Sequence, residues 1–246
     1  MKSSKFYFLL IFFILVLGAI GCTQKIEWPF YVIQGENVKT YQFEDLYSMQ
    51  STTITEIVID KEKREVIWEG PRISNFGDSG IVNYISEDFY LVSIPYREKV
   101  IASYKKQGKL LSEEDGAPLK VISDPLYGCK CNWLKKLKII EFIDVSKSLS
   151  IYGNVTNVVY FSGRDLNIFY SIQDILDNKY NSATLSQVLS KALPKEGATK
   201  IIIISENNLE KTYAITEVLN EVIFYENENF NIPSLGINGV RSIKVE

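Results

Sequence analysis

No histidine occurs anywhere in the 246 residues. That absence excludes a Ser-His-Asp or Cys-His nucleophile, a histidine-ligated zinc centre and C-x-x-C-H haem attachment. Any acid–base chemistry must therefore come from Asp, Glu, Lys, Tyr or Cys. An excess of positive charge is also missing: 27 Lys and Arg face 30 Asp and Glu, a formal net charge of −3. No global basic field exists to hold nucleic acid, so none is expected as a partner. Cysteine is scarce, with three residues at positions 22, 129 and 131. Aromatic residues are plentiful instead, fifteen Tyr and thirteen Phe, which favours sheet over helix bundle.

The long apolar run is at the N-terminus. Lys2 and Lys5 precede FYFLLIFFILVLGAIG, residues 6–21, which ends at Cys22. A bilayer-spanning helix needs about 20 apolar residues, and this run is shorter. A charged start, an apolar stretch and small residues before a cut point make a secretory signal peptide. Ala19-Ile-Gly-Cys22 resembles the lipobox of prokaryotic lipoproteins, with Ala19 standing where leucine is usual. The resemblance implies cleavage before Cys22 and membrane lipid attached to its sulfur. An uncleaved anchor helix is the other reading, and both put the bulk of the chain outside the cytoplasm, tethered to a membrane. Residues 1–21 are thus read as signal peptide and 22–30 as tether. Removal of residues 1–21 leaves 225 residues and takes away two lysines and no acids, so the net charge goes from −3 to −5.

The chain repeats itself. YVIQGENVKTYQFEDLYSMQ (31–50) and VVYFSGRDLNIFYSIQDILDNK (158–179) both run apolar strand, glycine, polar turn, aromatics and a short acidic-apolar helix. Aligned on those features, Gly35 meets Gly163, Tyr41 meets Tyr170 and Asp45 meets Asp174. Further on, YISEDFYLVSIPYREKVIASY (84–104) faces IIISENNLEKTYAITEVLNEVIFY (202–225), pairing Ile94 with Ile215. Two units, 31–145 and 151–246, would each be domain-sized.

The coarse reading mixes strand and helix. Residues 52–68 alternate as a hairpin, and Ile81–Ile85, Tyr90–Ile94, Leu137–Ile143 and Ile201–Ile204 read as strands. Arg97–Lys106, Leu185–Leu193 and Thr216–Val222 read as helices, and Val145–Gly153 as a polar linker. The fold class expected is α+β: two related mixed α/β modules, sheet-rich with short helices.

Several motifs of the first unit stand in a telling order: W-E-G (68–70), S-E-D-F-Y (86–90), G-A-P-L-K-V-I (116–122) and Y-G-C-K-C-N-W (127–133). They resemble the molybdopterin-binding domain of the sulfite oxidase family. In that family W-x-G, a G-x-P-L-R loop and Y-G-x-K-x-x-K-W frame the cofactor. The resemblance covers residues 68–143 and makes both modules sulfite-oxidase-like, the second a degenerate copy lacking the last two motifs. It implies molybdopterin as cofactor, with Lys130 on the cofactor phosphate and Lys120 in the place of the loop arginine. Lys120 keeps the charge but not the bidentate fork. The second family lysine is Asn132 here. The family's molybdenum-ligating cysteine falls near Asp60 or Lys61, where no thiolate stands, so no metal and no catalytic residue are expected. Cys129 and Cys131 lack two further donors for zinc. As i and i+2 of an extended segment they are either a strained disulfide or a pair of core thiols.

Candidate site residues are therefore Cys22 for lipidation and Lys120, Tyr127, Gly128 and Lys130 for a small anion. The expected function is a membrane-tethered, non-catalytic binding or interaction protein, for want of a ligand thiolate, with a small anionic ligand or a protein as partner. A molybdopterin-dependent oxidoreductase and a solute-binding lipoprotein with its cleft between the modules are the alternatives.

Overall fold

The computed structural model describes residues 25–59, 62–78, 80–96, 99–124 and 130–246. Residues before 144 form eleven strands: β1 (Phe30–Gln34), β2 (Asn37–Tyr41), β3 (Ser51–Ile59), β4 (Lys63–Pro71), β5 (Ile81–Ser86), β6 (Leu91–Pro95), β7 (Val100–Ser103), β8 (Lys105–Lys106), β9 (Lys109–Leu110), β10 (Lys120–Ser123) and β11 (Leu137–Ile143). They make a five-stranded sheet in the order β2-β1-β11-β5-β6, a four-stranded sheet β3-β4-β8-β9 and the pair β10-β7. Residues after 148 add β12 (Leu149–Gly153), β13 (Val159–Phe161), β14 (Ser182–Thr184), β15 (Lys200–Ser205), β16 (Glu210–Ala214), β17 (Val222–Glu226), β18 (Asn229–Ile232) and β19 (Ile237–Val245). These join in one eight-stranded sheet.

The balanced α+β class is overturned, because the chain is mostly β. Three short α-helices occur among the described residues, Ile172–Asp177, Leu185–Ala192 and Ile215–Val218. The helix expected over Arg97–Lys106 is strand where it is described, Arg97 and Glu98 lying outside the described residues. Its four residues Val100–Ser103 are all buried. Val100 and Ala102 face one core and Ile101 the other, and a segment covered on both faces reads as continuous apolar sequence. The helix expected to run to Val222 stops at Val218, since the β-branched and aromatic Val222, Ile223 and Phe224 pair with β14 and β18. The stretch expected as a polar linker contains β12, whose Leu149 and Ile151 are fully buried.

The two halves share a strand order. The sheet β2-β1-β11-β5-β6 has β1 parallel to β11 and its other neighbours antiparallel. The path β13-β12-β19-β15-β16 has β12 parallel to β19 and its other neighbours antiparallel. Each has its register shift at the same place, between Leu137 and Ile139 and between Ile204 and Ser205. Strand register sets Ile94 opposite Val82 and Tyr213 opposite Ile201, so the counterpart of Ile94 is Tyr213 and not Ile215. Tyr41 corresponds to Phe161 by the same logic. YQFEDL (41–46) then aligns with FSGRDL (161–166), and Asp45 matches Asp165 rather than Asp174. Both aspartates accept from the backbone N–H three residues earlier, Gln42 at 2.7 Å and Ser162 at 2.8 Å.

Alternate residues of the first sheet belong to different cores. Phe30, Val32, Tyr84, Val92 and Ile140 pack inside the first half. Ile33, Ile85, Leu91 and Ile139 pack with the second half's Phe161, Leu166, Ile201 and Ile243. Side chains of a strand point alternately to opposite faces, and here both faces are covered.

A polar row crosses the face turned to the second half: Ser93, Asn83 and Glu141 are neighbours on β6, β5 and β11. Asn83 Nδ2 donates to Asp165 Oδ2 at 2.9 Å and to Tyr160 O at 2.6 Å. Ser93 Oγ donates to Asn83 Oδ1 at 2.6 Å and accepts from Tyr160 N at 2.9 Å. Ser162 Oγ donates to Glu141 Oε1 at 2.7 Å. Glu141 Oε2 and Asp165 Oδ1 have no hydrogen-bond donor among the described residues. Burial pushes the Glu141 carboxyl well above the usual range, and the neighbouring Asp165 adds to the effect. Burial also raises Asp165. Two carboxyls buried beside one another disfavour each other's ionised form, so burial and proximity together favour a protonated pair.

A raised carboxyl binds its proton more tightly folded than unfolded, so its stabilising effect is complete below the ordinary value of 4.5 and is lost as pH rises through the folded value. We expect denaturation midpoints to fall as pH rises above the ordinary carboxyl range. In Glu141→Gln, whose amide supplies a permanent donor, that slope should flatten. An unchanged slope in the variant would show that the pair is not the titrating group.

Candidate functional site

The site grows from the β3–β4 hairpin. Ile54, Glu56, Val66 and Trp68 lie on its buried face, which packs on Ile101 and Ile122. Gly70 lets β4 cross β7, since a Cβ there would stand 2.1 Å from Ala102 O. Trp133 closes the other side. Its Nε1 donates to Ser123 O at 3.1 Å, and its ring meets Trp68 edge-on at 5.6 Å and 75°.

Lys120, the first residue of β10, points its ammonium at both indoles. Nζ is 4.4 Å from the Trp68 ring centroid and 5.2 Å from that of Trp133. The residue is 8% exposed. Burial pushes its ammonium down to about 8, and the nearby Lys135 charge acts in the same direction. Asp115 and Glu56 lie close enough to oppose that shift without prevailing.

Three other lysines surround it, and each has an oxygen partner. Lys130 Nζ donates to Glu56 Oε1 while its charge sits 5.8 Å from the Trp133 ring. Lys106 pairs with Asp115 at 2.5 Å and lies 5.3 Å from the Trp68 ring. Lys135 Nζ donates to Glu114 O at 2.7 Å. Among the described residues no oxygen accepts from Lys120 Nζ; its contacts are the two rings. Glu56 takes a second bond from Trp68 Nε1 at 3.0 Å. Burial alone would raise Glu56, but the hydrogen bonds from Lys130 and Trp68 outweigh it and hold the carboxyl below its usual value.

Lys120 and Lys130 are thus brought together at the Trp133 ring. Tyr127, Gly128 and Cys129 lie outside the described residues, as do Cys22 and the Asp60–Lys61 position. Cys131 belongs to a 3-10 turn, Lys130–Asn132, rather than an extended run. Glu56 was not foreseen from sequence, although Ile54, Glu56 and Val58 keep one phase and put a charge on the buried register. The indoles of Trp68 and Trp133 appear in sequence as motif markers and in the structure as the walls of the site.

A second concavity, a cleft of about 690 Å³, opens between the two halves, with Glu36, Glu141, Asp144, Lys147, Arg164 and Glu228 in its lining. Its cations are already matched. Arg164 donates to Ile175 O and Leu176 O at 3.0 and 2.8 Å and pairs with Glu36 at 3.2 Å, while Lys147 pairs with Glu228 at 2.5 Å.

No family model and no curated protein matches the chain. Among solved structures it is similar to the sulfane dehydrogenase SoxCD from Paracoccus pantotrophus, at 11% identity and a TM-score of 0.37. The likeness covers 89% of this chain and 63% of that one, and at this TM-score no argument about activity rests on it.

A lysine held near 8 in the fold and near 10.5 in the unfolded chain binds fewer protons folded than unfolded between those values, so stability should rise with pH across that window. Lys120→Met should abolish that rise. It should also stabilise the protein at pH 7 by about 1–3 kcal/mol, as buried charges replaced by apolar groups often do. Chemical denaturation at pH 7 and pH 10 measures both effects, and a destabilised variant at pH 7 would contradict the desolvated-cation account.

Proposed function

We propose that this chain is a membrane-tethered, non-catalytic binding protein, working outside the cytoplasm, that holds a small anion at Lys120 and Lys130. The observation that carries the reading is the Lys120 ammonium, buried between two indoles and lacking any oxygen acceptor among the described residues. A buried charge without a hydrogen-bonding partner is costly. An anion would supply that partner through charge-assisted hydrogen bonds. Lys106, Lys130 and Lys135 add a positive surround, of which Glu56 and Asp115 cancel only part.

A molybdenum-bearing pterin does not fit the donors present. The resemblance assigns the metal a protein thiolate, and the chain's cysteines at 22, 129 and 131 leave none on the β3–β4 hairpin.

Tethering rests on the sequence of residues 1–22. Among the described residues no helix is long and apolar enough to cross a membrane. An acylated and diacylated N-terminus at Cys22 carries enough chains for stable anchoring where one is marginal.

Phosphate or sulfate at pH 7 should raise the melting temperature by about 2–4 °C over chloride at matched ionic strength. The shift should fade as pH passes about 8 and be absent in Lys120→Met. An equal shift in that variant would place the anion elsewhere. Expressed at full length, the protein should partition into detergent, and Cys22→Ser should remove both lipid labelling and processing. Processing and membrane association that survive Cys22→Ser would rule out lipidation there.

A further inference from the structure

Desolvation changes what a lysine can do as well as what it binds. An ammonium is not a nucleophile, whereas a neutral amine is, and burial beside other cations is a physical route to the neutral form. Lys120 has both conditions. Trp68 and Trp133 wall its Nζ at 4.4 and 5.2 Å. Lys135, from the segment before β11, presses on it electrostatically and Lys106 on β8 adds a smaller push, while Asp115 and Glu56 pull the other way without overcoming the burial. Lys106, Lys130 and Lys135, by contrast, are held by Asp115, Glu56 and the Glu114 carbonyl, and act as fixed positive charges.

We propose that Lys120 is a reactive amine that captures small carbonyl compounds carrying an anionic group, such as an α-oxo acid, as a reversible imine. The inference rests on the anion-site reading above and adds the covalent step. The neutral Nζ attacks the carbonyl carbon to form a carbinolamine. The carbinolamine loses its hydroxyl with a proton as water, and the nitrogen's remaining proton returns to solvent from the iminium. One C=O becomes one C=N, one water leaves, and nothing is oxidised or reduced. The surrounding lysines hold the ligand's anionic group. The proton that leaves with the hydroxyl comes from solvent.

The indoles supply a second reason for selectivity. They exclude water from one side of the nitrogen, and an imine, being less polar than an ammonium, suits that wall better. Exposed lysines such as Lys195 and Lys200 have no such walls.

The drop from 10.5 to about 8 raises the neutral fraction at pH 7.5 on the order of a hundredfold. The lower basicity weakens the nucleophile, so a net preference of about tenfold is expected. The probe is glyoxylate, with cyanoborohydride to fix the imine and peptide mass spectrometry to locate it. Lys120 should be labelled about ten times faster than Lys195 or Lys200, and inorganic phosphate should slow that labelling. Lys120→Arg keeps the charge and should still bind phosphate while losing the labelling; should it fail to fold, phosphate protection in the wild type makes the same distinction. Phosphate-dependent stabilisation without preferential labelling of Lys120 overturns the imine and leaves the anion site standing. Loss of both removes the site itself. Labelling spread over lysines in proportion to exposure also overturns the proposal.

Discussion

Burying the β6-β5-β11-β1 surface against the second half makes Ser93, Asn83 and Glu141 find hydrogen-bond partners among one another and across the interface. Unsatisfied buried polar groups cost about 1–3 kcal/mol each, enough to decide how two apolar faces meet. Aliphatic side chains such as Ile33, Ile85 and Ile139 would tolerate sliding against Phe161 and Leu166. Asn83 cannot slide, since its amide reaches Asp165 and Tyr160 while its carbonyl receives Ser93. Apolar area drives the association, and the polar row chooses one arrangement.

The matching strand order explains where the interface acquired its acid. In the first half the aspartate of YQFEDL caps its own turn and stays exposed. In the second half the aspartate of FSGRDL makes the same turn bond but is fully buried against Glu141. One local device, a side chain accepting from the N–H three residues earlier, serves two environments. Nothing in the local sequence separates them. The difference comes from Glu141, which sits over 20 residues away from either aspartate and only the tertiary fold delivers it.

That contrast marks what could be read from residues alone. The hairpin of 52–68, the strands around 81–94 and the strand of 137–143 carry their own alternation, and they are strands. The segment at 100–103 misled because its four buried residues satisfy two cores at once, which removes the period-two signal. The repeat was visible but slipped: aligning Tyr41 with Tyr170 rather than Phe161 moved the aspartate match from 165 to 174, and only the strand ladders correct it. At the site, Lys120 and Lys130 were legible through motif spacing. Glu56 was not, because a carboxylate on a hairpin reads as solvent-facing until the partner strands fix which face is covered.

The two buried ionisable sites resolve the same problem in opposite ways. Between the halves, two carboxyls face each other and protonation makes the pair self-sufficient, so the site needs no ligand from outside. At the indole walls the neighbours of Lys120 are mostly cations, and the carboxylates within reach are engaged: Glu56 holds Lys130 and Trp68, and Asp115 holds Lys106 and Ser112. Neither can move to Lys120 without stranding a second lysine. Ring faces attract a cation, but a partly desolvated cation–π contact is worth about 1–2 kcal/mol, which does not replace a hydrogen-bonded counter-ion. Losing the proton is the internal remedy, and gaining an external anion is the other. A site with only those two exits is sensitive to ligand and to pH at once, whereas the carboxyl pair, closed on itself, answers to pH alone.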